Sequence, residues 1–340
     1  MKHAHVKRIL SLVLIIAIAA SALVACSNKD KLNKTVVGSV GGFDVYYEEL
    51  RWMTMQYKDL LAATYGTDIW ENKDTAEQYR AELENMVYSN IIANYAILTL
   101  CEQDILTLNG VKFIDIESEE IQSLVEDYVD QTILEAGGRI EYNRSLEKNY
   151  LTDSLYRFIT GVDICESILF KYYCELAIID DSDDAAMDYI YENFIRTVHI
   201  YIQNDAKDSV EDNRKLAEAV RLKLLAGEDI NDLVSKYSED RYMASGDGYY
   251  FTHGQYSKTY EDAAFALEMN GVSEVVETYS GFYVIQRLPL DDVYILSHFL
   301  SELKDQYLIA VFDKEIEACK KDLTFVPNEF GKSLDLVEME

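Results

Sequence analysis

The chain has 340 residues, is 49% hydrophobic and carries 61 acidic against 31 basic residues, a formal net charge of -30. This balance excludes a nucleic-acid binder, because phosphate recognition needs a basic surface, and it argues against a body lying flat on anionic lipid. The apolar fraction and length fit a folded, acidic body of two or three lobes.

Residues 1–25 read as a targeting segment. Lys2, Lys7 and Arg8 form a basic start, and Ile9 to Ala22 is an apolar run shorter than the about 20 residues a membrane span needs. Leu23-Val-Ala-Cys26 then has the form of a lipobox, where a bacterial lipoprotein is cleaved and its cysteine lipidated. The expectation is a mature chain held through a lipidated Cys26 at the outer face of a bacterial cell membrane, with residues 26–34 as a tether. The other cysteines are Cys101, Cys165, Cys174 and Cys319. They show no CxxC and no Cys/His spacing suited to zinc, so the sequence calls for no metal and no cofactor. Cys165 and Cys174 fall in one predicted helix, where nine residues rise about 13.5 Å, past the roughly 7 Å reach of a disulfide.

From Thr35 to Val40 the pattern is a strand, followed by a Gly41-Gly42 turn and a helix over Tyr46–Ala63 with Leu50, Met53, Tyr57, Leu60 and Leu61 on one face. A second helix starts near Asp74, carries Leu83, Val87, Ile91 and Tyr95 at four-residue steps, and runs to about Leu108. A third spans Ser118 to Ala136 with Ile121, Leu124, Val125 and Tyr128 inward, and two more cover Ile140–Tyr150 and Thr152–Ile178. Asp180-Asp-Ser-Asp-Asp184 lacks the glycine and distal Glu of a calcium loop, and reads as a linker whose acids suit the start of the next helix, Asp183–Phe194.

Between Arg196 and Pro289 the pieces change character. Thr197-Val-His-Ile-Tyr-Ile-Gln203 alternates like a strand, and a helix from Ser209 to Ala226 opens on a Ser209/Asp212 capping pair. A short helix ends in Tyr237-Ser-Glu-Asp240. Then come Ser245-Gly-Asp-Gly-Tyr-Tyr-Phe251, His253-Gly-Gln-Tyr256 with the helical run to Leu267, and Thr278-Tyr-Ser-Gly-Phe-Tyr-Val-Ile-Gln-Arg287 as a closing strand. After Pro289 a long helical pattern runs from Val293 to Leu323, with Leu296, Phe299, Leu300, Leu303 and Tyr307 on one face, and residues 327–340 are expected to be a loose tail.

The order and spacing of the motifs in 196–289 resemble the parvulin family of peptidyl-prolyl cis–trans isomerases. The resemblance implies a small antiparallel sheet wrapped by helices with a shallow proline pocket. The strand, turn and helix near Glu48 and Glu49 resemble the entry to the N-terminal chaperone lobe of PrsA/SurA-type foldases. The fold expected is therefore α+β: a mostly helical chaperone lobe over 35–194, a parvulin-like domain over 195–289, and a C-terminal helix over 290–326. That helix either packs back on the lobe or dimerises.

Position by position, the resemblance implies that His199 is the first family histidine, that Asp240 occupies the family's Asp or Cys position, and that Thr278 is a threonine bonded into the histidine network. Tyr283 stands where the family has its second histidine; its O–H can bond His199, but it supplies no second titrating imidazole. These four are the expected catalytic set. Tyr256 replaces the pocket Met and Tyr260 the pocket Phe, and with Phe251 and Gln255 they form the expected substrate-binding set. Gly248 arrives one residue early, so that Tyr249 takes a usual glycine place. Among the 26 tyrosines, Tyr249, Tyr250, Tyr256, Tyr260 and Tyr283 fall within or beside this pocket.

The function implied is that of an extracytoplasmic, lipid-anchored folding factor isomerising X–Pro bonds in unfolded or partly folded secreted polypeptides. The alternative is a chaperone of weak or absent turnover that uses the domain as a peptide clamp.

Overall fold

The computed structural model describes residues 31–72, 74–103, 113–204 and 209–340; the targeting segment and Cys26 lie outside them. The chain divides into two compact units, one reaching Ile179 and resuming at Val311, the other running from Asp180 to Ala310. Among the described residues no helix is long and apolar enough to cross a membrane.

The first unit opens with a hairpin, β1 (Val36–Val40) and β2 (Phe43–Tyr46), paired antiparallel. Helix α1 (Tyr47–Tyr65) buries Leu50, Met53 and Leu61 but leaves Leu60 exposed. In α2 (Ala76–Cys101) the four-residue repeat of Leu83, Val87, Ile91 and Tyr95 is buried throughout, and the helix stops short of Leu108; residues 104–112 are not described. Helix α3 (Glu119–Glu135) is capped by Ser118, whose hydroxyl accepts the Ile121 amide. Its buried line is Ile121, Val125 and Val129; Leu124 and Tyr128, expected inward, are exposed. Steps of four follow the 3.6-residue turn closely enough to select one narrow line, and residues 124 and 128 lie to one side of it. Helix α4 (Arg139–Lys148) and α5 (Asp153–Glu175) follow. Cys165 and Cys174 both lie on α5, and the buried Cys165 is hydrogen-bonded to Cys101 of α2.

The second unit starts with α6 (Asp183–Asn193), whose Ser182 cap and first-turn Asp183 and Asp184 suit the helix dipole. Strand β3 (Ile195–Gln203) follows, then α7 (Val210–Leu225), α8 (Ile230–Tyr237), β4 (Tyr249–Phe251), α9 (Lys258–Phe265), β5 (Val276–Thr278) and β6 (Gly281–Leu288). The sheet order is β4-β3-β6-β5, antiparallel at every pairing. Ser209 caps α7 by accepting the Asp212 amide while its hydroxyl donates to the Asp212 carboxylate. The period of two in β3 separates two cores. Val198, Ile200 and Ile202 pack with Phe282 and Val284 of β6 against α7 and α8. The opposite face carries Thr197, His199 and Tyr201, and there Ile285 joins Phe251, Tyr260 and Val276.

Past Pro289 the expected continuous helix is interrupted. A short turn at Asp292–Tyr294 and a wide π turn at Ile295–Phe299 precede α10 (Leu300–Lys321). Ile295 and Leu303 are buried with Ile190 and Phe194, whereas Leu296 is exposed. From Val311 the helix belongs to the first unit, where Phe312 packs edge-on against Phe170 and Tyr173 of α5.

The tail is not loose. Strand β7 (Phe325–Pro327) pairs antiparallel with β1, and α11 (Glu329–Lys332) follows it. Asn328 anchors this return: its amide donates to Val37 O and its side chain to Val36 O.

Candidate active site

The site lies on the His199 face of the four-stranded sheet. Alternation on β3 directs Thr197, His199 and Tyr201 to the same side, and register places Tyr283 directly opposite Tyr201 and Ile285 opposite His199. Gly248 has φ of 77°, and a Cβ there would come within 2.5 Å of Thr197 O, so the early glycine is what lets the turn pass β3 and bring in Tyr249.

His199 is 2% exposed and both its ring nitrogens are occupied. Nδ1 lies 2.9 Å from the Tyr260 hydroxyl, and Nε2 lies 3.1 Å from Asp240 Oδ2. The Tyr260 hydroxyl also meets Thr197 Oγ1 at 2.9 Å, and Asp240 Oδ2 accepts the Tyr249 hydroxyl at 3.0 Å. Because an ionised carboxylate only accepts, Nε2–H of His199 donates to Asp240, and in that tautomer Nδ1 accepts from the Tyr260 hydroxyl. The result is a relay from Thr197 through Tyr260, His199 and Asp240 to Tyr249 in which every buried polar atom has a partner.

Local sequence fixes Asp240. It follows α8, its Oδ1 accepts the Tyr242 amide, and the neighbouring Ser238 hydroxyl accepts the Tyr201 amide. The hydrogen bond from His199 holds the Asp240 carboxyl below its ordinary range, against the opposing effect of partial burial. Burial raises the hydroxyl pKa values of Tyr249, Tyr256, Tyr260 and Tyr283, so they remain donors at neutral pH.

Two expectations for the network are corrected. Tyr283 makes no hydrogen bond to His199; it sits edge-on at 5.0 Å between ring centroids and stacks on Tyr201 at 4.5 Å. Both imidazole nitrogens already have closer partners. Thr278 is outside the network: at the end of β5, opposite Gly281, its hydroxyl donates to Gly281 O at 3.0 Å.

The expected substrate-binding residues divide by exposure. Tyr260 and Phe251 are buried beneath the surface, while Tyr256 is 40% exposed and covers them, 5.5 Å from Tyr260 and 4.8 Å from Phe251. Gln255 points along the chain, its Oε1 accepting the Thr252 amide and its Nε2 meeting Gln306. Tyr250 lies apart from the site, stacked on Tyr294.

Sequence reasoning missed Thr197 and Tyr201 as contributors, although both sit two residues from His199 on an alternating strand.

The profile of the PPIC-type peptidyl-prolyl isomerase domain matches residues 190–288. The Foldase protein PrsA of Caldanaerobacter subterraneus subsp. tengcongensis is 24% identical over 328 residues, 92% of this chain and 95% of that protein. The peptidyl-prolyl cis-trans isomerase pin1 of Schizosaccharomyces pombe is 42% identical over 81 residues, 23% of this chain and 46% of that one. NmPin, the parvulin of Nitrosopumilus maritimus, is 32% identical, with 97% of its length covered by 28% of this chain at a TM-score of 0.24. Residues 190–288 therefore form a parvulin-type (PPIC-type) peptidyl-prolyl cis–trans isomerase domain, within a sequence similar along nearly its whole length to a PrsA foldase.

Proposed function

We propose that this folding factor binds a proline of an unfolded secreted polypeptide against Tyr256, Tyr249 and Tyr283. It would then speed rotation about the X–Pro bond, while lipid on Cys26 holds the chain outside the cytoplasmic membrane. The observation that carries the reading is the closed hydrogen-bond relay around His199 lying under a partly exposed aromatic surface.

No covalent bond need break. The barrier of about 18–20 kcal/mol is the amide resonance lost on twisting, and unaided exchange takes tens to hundreds of seconds. The aromatic wall grips the ring. A tyrosine O–H meets the nitrogen lone pair that the twist releases, and the Asp240 carboxylate opposes the charge separation of the planar amide. The first interaction gains strength and the second repulsion is relieved in the twisted state, so both favour it over the planar amide, which is the condition for catalysis. His199, buried below, fixes the orientation of Asp240 and Tyr260. The clamp reading draws on one observation: Tyr283 contributes a stacked ring where the family has a second imidazole.

The test uses the chain from Ser27, a panel of X–Pro peptides and the variants His199→Ala and Tyr283→His. The parent is expected to accelerate exchange and His199→Ala to slow it. An inactive parent beside an active Tyr283→His would favour the clamp. Two inactive proteins that still bind unfolded chains would remove isomerisation altogether. For anchoring, Cys26→Ala should release the protein from sedimented membranes, and complete retention would sink the lipid reading.

A further inference from the structure

We infer that Glu261 is a positioning residue of the site: its carboxylate clamps the Gly254–Tyr256 turn so that the Tyr256 ring stands as a wall of the proline pocket. The inference rests on the proposed reading of Tyr256.

Glu261 lies in the first turn of α9 and is 7% exposed. Its two oxygens are used separately: Oε2 accepts the Gly254 amide at 3.0 Å and Oε1 the Tyr256 amide at 2.7 Å. Charge-assisted bonds of this kind are the stronger class, and having two of them fixes the direction of the turn as well as its distance. The carboxylate is not serving its own helix. Ser257 at the N-cap makes no side-chain cap, and both Glu261 bonds run backwards to the preceding loop.

The turn depends on the clamp. Gly254 has φ of 87°, a conformation open to glycine and costly for other residues, so the backbone itself leaves the turn free and the two Glu261 bonds set its direction. Gln255 closes the other side by accepting the Thr252 amide. The turn ends at Tyr256, whose ring lies 5.7 Å from Tyr249, 4.8 Å from Phe251 and 5.5 Å from Tyr260. Glu261 is adjacent in sequence to Tyr260, which bonds His199, so one turn of α9 supplies both the histidine's partner and the support of the exposed wall. A glutamine at 261 keeps the shape, but it turns an N–H donor toward one of the two amide donors, so one bond is lost and the turn is pushed away.

The experiment is a double-mutant cycle on the chain from Ser27, with Glu261→Gln, Tyr256→Ala and both together, read as KM and kcat on an X–Pro peptide. If the parent binds the peptide without turnover, the dissociation constant is read instead. Glu261→Gln is expected to raise KM on the order of tenfold, more than it lowers kcat, and to add nothing in the Tyr256→Ala background. Should Glu261→Gln fail to fold, Glu261→Asp carries the same cycle, because the shorter side chain cannot span both amides. An unchanged KM, or effects that multiply in the double variant, would overturn the positioning role while leaving the isomerase reading intact. A parent that neither binds nor turns over any proline peptide would overturn the function itself.

Discussion

Tyr260 joins the two halves of the site, because its one hydroxyl serves both Thr197 and His199 in a buried place. Tyr260→Phe should therefore cost about 1–3 kcal/mol of stability, the price of stranding buried polar groups, and should also slow isomerisation by freeing the imidazole to tilt. Denaturant titration alongside the peptide assay checks both. A second buried residue, in the first unit, carries a pH-dependent prediction. Glu49, 2% exposed, receives Tyr95 Oη at 2.8 Å and Asn94 Nδ2 at 3.3 Å, and burial pushes its carboxyl up to about 7. The Tyr95 hydroxyl also reaches Asp44 O at 3.0 Å and has one proton to give, so a protonated Glu49, able to donate, completes the set. Below about pH 4.5 the carboxyl is protonated folded or unfolded. Between about 4.5 and 7 only the unfolded chain releases the proton, so stability falls as pH rises, by up to roughly 3 kcal/mol, and then levels off. Glu49→Gln mimics the protonated form. It should match the parent near pH 4 and exceed it at pH 8 in urea midpoint, and equal midpoints at pH 8 would refute the assignment. That His199 and Asp240 share one network was legible through the parvulin resemblance, and the structure brings the two side chains together. The hydroxyl roles of Tyr260 and Thr197 were not, because they depend on distances that only the assembled sheet sets.

Elements with long periodic patterns were the legible ones. The repeat Leu83, Val87, Ile91 and Tyr95 marks α2 because a buried helix face must recur every three to four residues. Ser209, Ser118 and Thr152 mark helix starts because their hydroxyls accept amides that the helix leaves free. What escaped was structure too short to have a period. β7 has three residues and α11 four, and their placement comes from pairing with β1, nearly three hundred positions earlier in the chain. Gly331 shows how closely that return is fitted: a Cβ there would lie 2.0 Å from Val37 O, in contact with backbone that cannot step aside. Gly331→Ala should lower stability by about 1–3 kcal/mol, the usual range for overpacking. An unchanged urea midpoint would mean that α11 leaves β1 at no cost, which would restore the loose tail expected from the sequence.

At the scale of the whole molecule, the first unit is built from two separate parts of the chain, with the isomerase unit encoded between them. Its small sheet, ordered β2-β1-β7, takes its third strand from residues 325–327, so the unit cannot be completed until the chain beyond Ala310 has returned. Phe325 closes that joint. It is buried against Tyr88 at 4.7 Å, and its ring fills the space that the absent side chain of Gly38 leaves open. Phe325→Ala removes a buried ring from a close-packed seam and should destabilise the first unit by about 3–5 kcal/mol. The chain supplies its own reporter, because both tryptophans, Trp52 and Trp70, lie in that unit and none lies in the isomerase unit. Tryptophan fluorescence in a urea titration should show the midpoint falling in the variant. If the midpoint holds, the returning strand is an ornament on an already complete lobe. If it falls, the mostly helical first unit depends on both of the segments that build it, and a protein truncated after the isomerase unit would lose its first unit while keeping the sequence of its active site.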